Sequence, residues 1–248
     1  MNQERHAQIL RLLQEHQTMS NDQLARAVFA SLPTIRRDLT ALERRGLVRR
    51  TRGGAALMEV SQQLEVPLSL RQKEQTQQKM QIARQALALV ERGTTLFLDS
   101  STTVYQLARI LPTDMDLTVI TNSIRVGALM TQKKIRTYIL GGLLNDGFYS
   151  TGGTYAVEMA KQLRVDVMFF SANALTYEGE IMDFSENEAR LRQEIIARSE
   201  RTYFLCDSSK LGKTSLHHLC RREDVTAILC DLPLEEPAGL CPAPAKEP

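Results

Sequence analysis

Hydrophobic positions in the first forty-five residues recur every three to four residues, which is helical spacing. Over residues 3–15, the stripe formed by Ala7, Leu10 and Leu13, widened by Ile9 and Leu12, predicts an amphipathic helix. A second, shorter helix is predicted over residues 20–28, because its first four residues, SNDQ, have the spacing of a capping box. The chain is therefore expected to open with two consecutive short helices.

A third helix is predicted to begin after Ser31, a residue type that caps helix N-termini, and to end at Gly46. Pro33 falls in its first turn, where the missing N–H removes no hydrogen bond. The inward apolar stripe of this helix consists of Ile35, Leu39 and Leu42. At about 100° per residue, the arginines of the helix either flank this stripe or point away from it.

The residues after the third helix predict a small β-hairpin, written LVRRT, RGG and AALM over residues 47–58. Three short helices with a tight turn between the second and third are typical of a helix-turn-helix unit, whose last helix can enter a DNA major groove. A hairpin carrying arginines suits backbone phosphates or the minor groove. The sequence therefore predicts a winged helix-turn-helix DNA-binding domain over residues 1–58.

Positive charge is concentrated in this part of the chain. Residues 1–55 contain ten arginines and five acidic residues, a formal net charge of +5, and the remainder has a net charge of −3. We therefore expect only the first domain to meet a polyanion. The candidate DNA-binding residues are Ser31, Thr34, Arg36, Arg37, Thr40, Arg44, Arg49, Arg50 and Arg52. A helical bundle with a merely solvated basic face has the same pattern, so the pattern alone leaves that alternative open.

From residue 80 onward, short apolar strands such as TLFLD and LTVIT alternate with helical segments. This alternation predicts an α/β domain with a mostly parallel sheet covered by helices. We expect this domain to span residues 79–232. A polar, glutamine-rich linker is predicted over residues 59–78, and a flexible, proline-rich tail over residues 233–248.

Polar loops follow several predicted strands at their carboxyl ends, where parallel sheets bind ligands. The DSSTT loop lies between a strand and a helix, and its hydroxyls and helix N-terminal amides suit an oxyanion. Each loop taken alone is more often explained by helix capping, but four at one sheet edge favour a site for a phosphorylated polyol. The candidate effector-binding residues in these loops are Asp99, Ser100, Ser101, Thr102, Thr103, Thr121, Asn122, Ser123, Gly141, Gly142, Asp207 and Lys210.

Neither a metal nor a cofactor is expected. The four cysteines have no CxxC spacing and no histidine cluster beside them, which is typical of a reduced, cytoplasmic protein. No apolar run approaches 18 residues, and the first residues lack the features of a signal peptide. We therefore expect a cytoplasmic chain without a membrane segment.

The stretch SLPTIRRDLTALERRGLVRRTRGGA, residues 31–55, resembles the N-terminal signature of the DeoR family of bacterial transcriptional regulators. In that family a Ser-x-x-Thr-Ile-Arg-Arg-Asp-Leu recognition helix precedes a wing with Gly-Leu, an arginine and Gly-Gly-Ala. The matching residues are Ser31, Thr34, Ile35, Arg36, Arg37, Asp38, Leu39, Gly46, Leu47, Arg50, Gly53 and Gly54. One departure is Ala30, where the family usually has a larger β-branched residue.

The resemblance extends to the DeoR C-terminal sensor domain, which is similar in fold to ribose-5-phosphate isomerase, and it covers about residues 2–231. It implies that Glu188 joins the effector site. Three departures predict an altered ligand choice: Ser101 replaces a glycine, Arg192 replaces a lysine, and the stretch 171–179 has fewer glycines.

Together these features predict a DNA-binding transcriptional regulator, more specifically a repressor, of a carbohydrate-metabolism operon. The expected partners are a double-stranded DNA operator, a phosphorylated sugar effector and further copies of the chain, as a dimer or tetramer. One alternative is a sugar-phosphate isomerase-like enzyme with an accessory DNA-binding domain, in which Asp99, Glu188, Asp207 and Lys210 supply acid–base chemistry. A scaffold that oligomerises without a ligand is a third possibility.

Overall fold

In the computed structural model, the described residues are 2–16, 18–44, 48–57, 71–72, 74–145 and 149–233. The chain divides into two compact units, Met1–Glu74 and Gln75–Pro248. Most of the linker predicted over 59–78 lies outside the described residues, as does the tail after residue 233. Within the described ranges, no helix has both the length and the apolar character needed to cross a membrane.

Within the described residues, the first unit contains three helices and a small sheet. Its helices are α1 (Asn2–His16), α2 (Asn21–Ala27) and α3 (Leu32–Arg44). Its strands are β1 (Thr18–Ser20), β2 (Val48–Thr51) and β3 (Gly54–Leu57). The predicted helices and the β2–β3 hairpin are confirmed, but the sheet has a third strand, because β1 pairs antiparallel with β3. A three-residue strand between two helices is too short for a visible alternation in the sequence.

Local sequence explains how these elements begin and pair. The capping box predicted for α2 is present: the Gln23 amide donates to Ser20 Oγ at 3.1 Å, and the Ser20 amide donates to Gln23 Oε1 at 2.8 Å. At Gly54, an added Cβ would lie 2.2 Å from the carbonyl oxygen of Met19. Pairing between β1 and β3 therefore requires glycine at this position.

The core of the first unit is centred on α3. The apolar stripe predicted for α3 is fully buried and packs with Leu13 of α1 and Leu24 of α2. On α1, Ala7, Ile9 and Leu13 of the predicted stripe are buried, while Leu10 and Leu12 are partly buried against the same core.

The second unit contains a parallel sheet, as predicted. Its strands are β4 (Thr95–Leu98), β5 (Thr118–Thr121), β6 (Arg136–Ile139), β7 (Leu143–Asn145), β8 (Ser150–Gly152), β9 (Val165–Phe170), β10 (Ala174–Leu175), β11 (Glu180–Asp183), β12 (Ser199–Cys206), β13 (His217–Arg221) and β14 (Ala227–Cys230). Six of them pair in parallel in the order β14-β12-β9-β4-β5-β6. Their carboxyl ends therefore meet at one edge of the sheet.

Helices cover both faces of this sheet. They are α4 (Thr76–Leu87), α5 (Thr102–Ile110), α6 (Ile124–Gln132), α7 (Thr154–Ala160) and α8 (Glu186–Ile196). One core lies between the sheet and α4, α5 and α6, and the other lies between the sheet and α7 and α8. Because α4 begins at Thr76, its first three residues fall within the linker predicted over residues 59–78.

Two small antiparallel sheets of the second unit were not predicted from the sequence. One is the β7–β8 hairpin, and the other has the order β10-β11-β13. Their strands are only two to five residues long, so alternation gives little signal. The β7–β8 hairpin follows β6, an edge strand of the large sheet, and brings new polar groups to the carboxyl ends of the strands.

Candidate DNA-contact surface and effector site

Helix α3 presents two arginines to solvent. Arg36 and Arg37 are exposed, and neither guanidinium forms an ion pair with a residue that the structure describes. At the start of the helix, Ser31 Oγ accepts from the Thr34 amide at 3.4 Å and lies 2.8 Å from Thr34 Oγ1. Ser31 therefore caps α3 as predicted, and the two cations beyond the cap are accessible to a polyanion.

Asp38 lies on the buried side of α3 and attaches it to α1. Arg5 Nε lies 2.5 Å from Asp38 Oδ2, Arg5 Nη2 lies 3.1 Å from Oδ1, and His6 Nε2 lies 3.0 Å from Oδ1. Burial favours a higher pKa for Asp38, but the hydrogen bonds and charges of Arg5 and His6 outweigh burial and lower that pKa below its ordinary value. The carboxylate thus fixes α3 on α1 with the arginines outward.

The wing is attached to α3 through Arg50. Its backbone amide donates to Glu43 Oε1 at 3.1 Å, and its guanidinium donates to Thr40 Oγ1 at 3.3 Å. The Thr40 hydroxyl itself donates to the Arg36 carbonyl at 2.8 Å. Thr40 and Arg50, both candidate DNA-binding residues, therefore also hold the wing against the helix.

The other wing arginines are exposed. Arg49 and Arg52 both extend into solvent, while the side chain of Arg44 lies outside the described part of the structure. Gly53, between the two wing strands, has a φ of +94°, a conformation that favours glycine. The exposed cations of α3 and the wing thus belong to one small unit.

In the second unit, the loops after β4 and β5 meet at the carboxylate of Glu188, which is 2% exposed. Ser100 Oγ donates to Oε2 at 3.2 Å, and Asn122 Nδ2 lies 3.3 Å from Oε1 and 3.2 Å from Oε2. The β7–β8 hairpin supplies two more donors to Oε1, Asn145 Nδ2 at 3.2 Å and Ser150 Oγ at 2.6 Å. Two strand-end loops and one hairpin are therefore joined by a single buried carboxylate.

Arg192 adds a buried cation to this polar cluster. Its Nη2 lies 2.9 Å from Asp99 Oδ2 and 3.4 Å from Glu188 Oε2, and its Nη1 donates to Asp183 Oδ2 at 2.8 Å. Burial favours a lower pKa for this guanidinium, but the three carboxylates outweigh burial and raise its pKa. Arg192, which stands where the DeoR family usually has a lysine, thus forms ion pairs with three carboxylates of this chain.

The loop after β12 reaches the same cluster through Ser171. Lys210 Nζ donates to Ser171 Oγ at 2.7 Å, and the Ser171 amide donates to Asp99 Oδ2 at 3.1 Å. Lys210 Nζ also lies 3.7 Å from Asp207 Oδ2. Burial favours a higher pKa for Asp207, but Lys210 and a hydrogen bond from Ser209 lower it below the ordinary value. Three of the four predicted loops therefore converge.

Several predicted site residues have structural contacts of their own. Ser101 and Ser123 cap α5 and α6, accepting from the amides of Val104 and Val126 at 3.2 and 3.3 Å. Thr121 Oγ1 donates to the Leu98 carbonyl at 2.6 Å. For these three hydroxyls, helix capping or loop closure accounts for the residue type without a ligand.

The Gly141–Gly142 pair lies at the surface after β6. Gly142 has a φ of +143°, and an added Cβ would lie 2.4 Å from the carbonyl oxygen of Gly152. A Cβ at Gly141 would meet no heavy atom within 4 Å. Glycine at 142 is therefore required by the packing of the β7–β8 hairpin, whether or not a ligand approaches.

Two buried polar atoms at this edge have no hydrogen-bond partner among the described residues. They are Thr103 Oγ1 and Asn122 Oδ1, in residues that are 0% and 1% exposed. Thr102 and Thr103 form the buried first turn of α5, where N–H groups and the helix dipole favour an anion. The structure therefore places unused hydrogen-bonding capacity beside the converging loops.

Sequence reasoning missed several members of the cluster: Asn145, Ser150, Ser171, Asp183 and, as a site residue, Arg192. The spacing of Arg192, four residues after Glu188 on one helix, was a usable signal, because residues at i and i+4 share a helix face. Asn145 and Ser150 gave no signal, since the hairpin that carries them was not predicted.

An exposed cationic helix and wing in one unit, together with a polar strand-end site in the other, define a DNA-binding transcriptional regulator with a separate sensor domain. The DeoR-like helix-turn-helix domain matches residues 5–61, and the DeoR C terminal sensor domain matches residues 74–232. The chain belongs to the DeoR family.

Relatives of similar length support this assignment. The chain is 32% identical over 236 residues to the lactose phosphotransferase system repressor of Staphylococcus aureus (strain N315), covering 94% of this chain and 93% of the relative. It is 30% identical to the uncharacterized HTH-type transcriptional regulator FruR of Bacillus subtilis (strain 168), covering 92% and 90%. These relatives are named as regulators.

Among solved structures, the chain is similar to ribose 5-phosphate isomerase A from Methanocaldococcus jannaschii, with 18% identity and a TM-score of 0.41 over 54% of this chain and 53% of that one. It is also similar to eIF2B delta from Chaetomium thermophilum, with 13% identity and a TM-score of 0.48 over 67% and 60%. Likenesses at this level carry no argument about function.

Proposed function

We propose that this protein is a cytoplasmic transcriptional repressor of a carbohydrate-metabolism operon. We further propose that a phosphorylated sugar bound in the second unit controls its affinity for DNA. The exposure of Arg36 and Arg37 on α3, beside an equally exposed wing, is the observation that carries the DNA-binding half. The lactose phosphotransferase system repressor among its relatives supports a role in carbohydrate metabolism.

On DNA, α3 would enter the major groove. Arg36, Arg37 and Thr34 would contact base edges or brace against phosphates near the capped end of the helix. The wing arginines Arg49 and Arg52 would neutralise backbone phosphates. Each neutralised phosphate releases counterions, so affinity falls steeply as salt rises.

A gel-shift titration against the promoter fragment of its own operon tests this surface. Arg37→Ala is expected to weaken binding about tenfold or more and to reduce the salt slope by about one phosphate contact. Arg190→Ala is the control, because Arg190 is also an exposed arginine but lies in the second unit, outside the proposed DNA-binding surface. An Arg37→Ala protein that binds like wild type would refute the role of α3.

In the second unit, the phosphate of the effector would bind at the first turn of α5. The helix N-terminal amides there and the Thr103 hydroxyl, which has no hydrogen-bond partner among the described residues, suit an oxyanion, and Lys210 approaches the same edge through Ser171. The carboxylate cluster around Glu188 repels a phosphate but accepts hydrogen bonds from hydroxyl groups. We therefore assign the anion to the helix terminus and the sugar hydroxyls to the carboxylates.

Thermal-shift titration with a panel of phosphorylated sugars tests this assignment. Thr103→Val removes a hydroxyl that bonds no described residue, so it should weaken effector binding about fivefold or more while leaving stability nearly unchanged. Thr131→Val is the matched control, because the Thr131 hydroxyl donates within its own helix to the Gly127 carbonyl. No stabilisation by any sugar phosphate would contradict the effector half of the proposal.

Release of repression requires that the effector favour a state that binds the operator weakly, which means different effector affinities in the two states. In the gel shift, adding the effector identified by thermal shift should release the promoter fragment. Tighter binding in its presence would instead make the effector a co-repressor.

We further propose that the second unit binds its sugar without converting it. Both oxygens of Glu188 accept hydrogen bonds and Asp99 is paired with Arg192, so a substrate would have to displace these partners before either carboxylate could take its proton. Incubation with phosphosugars followed by product analysis decides the matter. Sustained interconversion would favour the isomerase-like alternative.

A further inference from the structure

Large apolar side chains of the second unit are exposed around one edge of its parallel sheet. Eleven large hydrophobic residues are exposed among the described residues, and seven of them surround the edge strand β6. These seven, which we name the β6 surface, are Ile124, Tyr138, Ile139, Leu143, Leu144, Tyr149 and Tyr155. Such a concentration in one region differs from the scattered exposed residues of an ordinary surface.

Backbone contacts join these residues into one surface. The Ile124 amide donates to the Tyr149 carbonyl at 2.8 Å, so α6 and the start of β8 adjoin. Leu143 follows β6 after three residues, Leu140, Gly141 and Gly142, and a Cβ at Gly153 would lie 3.9 Å from Leu143 Cβ. The N-terminus of α7, which carries Tyr155, therefore lies against β7. The surface continues from α6 across the sheet edge to α7.

The exposed area is that of a protein interface. The exposed fractions range from 38% for Ile124 to 81% for Tyr155. At roughly 200 Å² for each fully exposed large side chain, the surface amounts to about 800 Å². This exceeds the roughly 300–600 Å² of the largest apolar patch on a typical monomer and matches the roughly 800 Å² that each partner contributes to a standard interface.

The position of β6 favours an identical partner. Half of the backbone groups of an edge strand face away from the sheet, and such edges are normally protected by several charges, proline or a bulge. In β6 the one charged residue, Arg136, donates to the Tyr138 hydroxyl at 2.7 Å and lies over its ring. Two such edges related by a two-fold axis are complementary to each other, since the same patch serves on both sides.

We propose that the β6 surface is the contact through which two copies of this chain associate. The proposal rests on the proposed DNA-binding function and deepens the homo-oligomer expected from the sequence, whose two-fold symmetry a palindromic operator would match. It requires neither DNA nor effector, so its failure would leave the gel-shift and thermal-shift results intact.

Sedimentation velocity of the full chain over a range of concentrations tests the proposal. Wild type is expected to dimerise, and Leu143→Lys and Tyr155→Lys are each expected to weaken dimerisation about a hundredfold or more by placing a charge in the contact. Leu232→Lys is the matched control: Leu232 is 54% exposed and follows β14, the opposite edge strand. Far-UV circular dichroism and melting curves establish that each variant is folded.

Hydrogen exchange distinguishes a second copy from another part of the same chain as the group that covers the β6 surface. Amides of residues 136–144 should be protected at high protein concentration and lose protection on dilution, and Leu143→Lys should lack that concentration dependence. A monomeric wild type, unchanged dimerisation of both lysine variants, or protection independent of concentration would each overturn the proposal. In the last case the surface is covered by the same chain.

Discussion

Replacing Arg192 by methionine should destabilise the second unit far more than the same change at Arg190, two residues earlier on α8. Arg192 is 4% exposed and contacts the carboxylates of Asp99, Asp183 and Glu188 at 2.9, 2.8 and 3.4 Å. The side chain of Arg190 is 70% exposed and pairs with an exposed glutamate one turn earlier. Methionine is similar in length, so the substitution removes the charge without opening a large cavity.

The expected losses of unfolding free energy differ about tenfold between the two substitutions. Removing one partner of a buried ion pair leaves an uncompensated charge and costs about 3–5 kcal/mol, and here three carboxylates would lose their shared cation. An exposed pair at i,i+4 contributes about 0.3–0.5 kcal/mol. For a domain of this size, the melting temperature should fall by about 6–20 °C for Arg192→Met and by about 1–2 °C for Arg190→Met.

Urea unfolding of the full chain measures both effects. The chain has no tryptophan, so far-UV circular dichroism is the suitable signal. Arg192→Lys should fall between wild type and Arg192→Met, because one ammonium keeps the charge but cannot reproduce the fork of a guanidinium. If the losses of unfolding free energy for Arg192→Met and Arg190→Met differ by less than about 1 kcal/mol, Arg192 does not stabilise the unit by compensating the buried carboxylates.

Three further predictions concern the first unit and the strand ends. Phe29→Gly should raise the free energy of unfolding by about 1 kcal/mol, since Phe29 is 97% exposed with a φ of +51°, and urea melts showing no gain would contradict this. Gly54→Ala should cost more than about 2 kcal/mol because its Cβ would strike the Met19 carbonyl, whereas Gly141→Ala, with open space around it, should be nearly neutral in the same melts. Asp38→Asn should cost about 1.5–3 kcal/mol at pH 7. The lowered pKa of Asp38 means that this contribution is present above the unfolded pKa of about 3.9 and is lost as pH falls through the native value, so a difference from wild type that persists undiminished well below pH 3 would count against the ion pair.

The parts of this fold that local pattern determines were predictable. The buried stripe of α3, the capping box of α2 and the parallel alternation of the second unit each follow from residues within one or two turns or one strand. The β1 strand and the two small antiparallel sheets of the second unit were missed, because strands of two to five residues have too few positions to show a period.

The chemistry of the candidate sites depended more on distant contacts. Asp38 stands in the middle of an arginine-rich signature, yet its partners Arg5 and His6 lie more than thirty residues earlier. Arg192 and Asp99 are 93 residues apart in the sequence and meet only in the folded unit. Strand-end loops could be assigned to one edge from topology alone, but which side chains pair there could not.

The β7–β8 hairpin connects the two inferences about the second unit. On one side, Asn145 and Ser150 donate to Glu188, and on the other, Leu143 and Leu144 belong to the β6 surface. A sugar hydroxyl that donates to Glu188 must displace some of these donors, because both carboxylate oxygens are already occupied. Where the displaced donors are Asn145 and Ser150, the hairpin would shift relative to the sheet edge and change the dimer contact. Reciprocity requires that the dimer and the monomer bind such an effector with different affinities, by the same factor that the effector changes dimerisation. Control of DNA binding would then need no direct path from the effector to α3, since a change in dimerisation alone alters affinity for a two-fold symmetric operator.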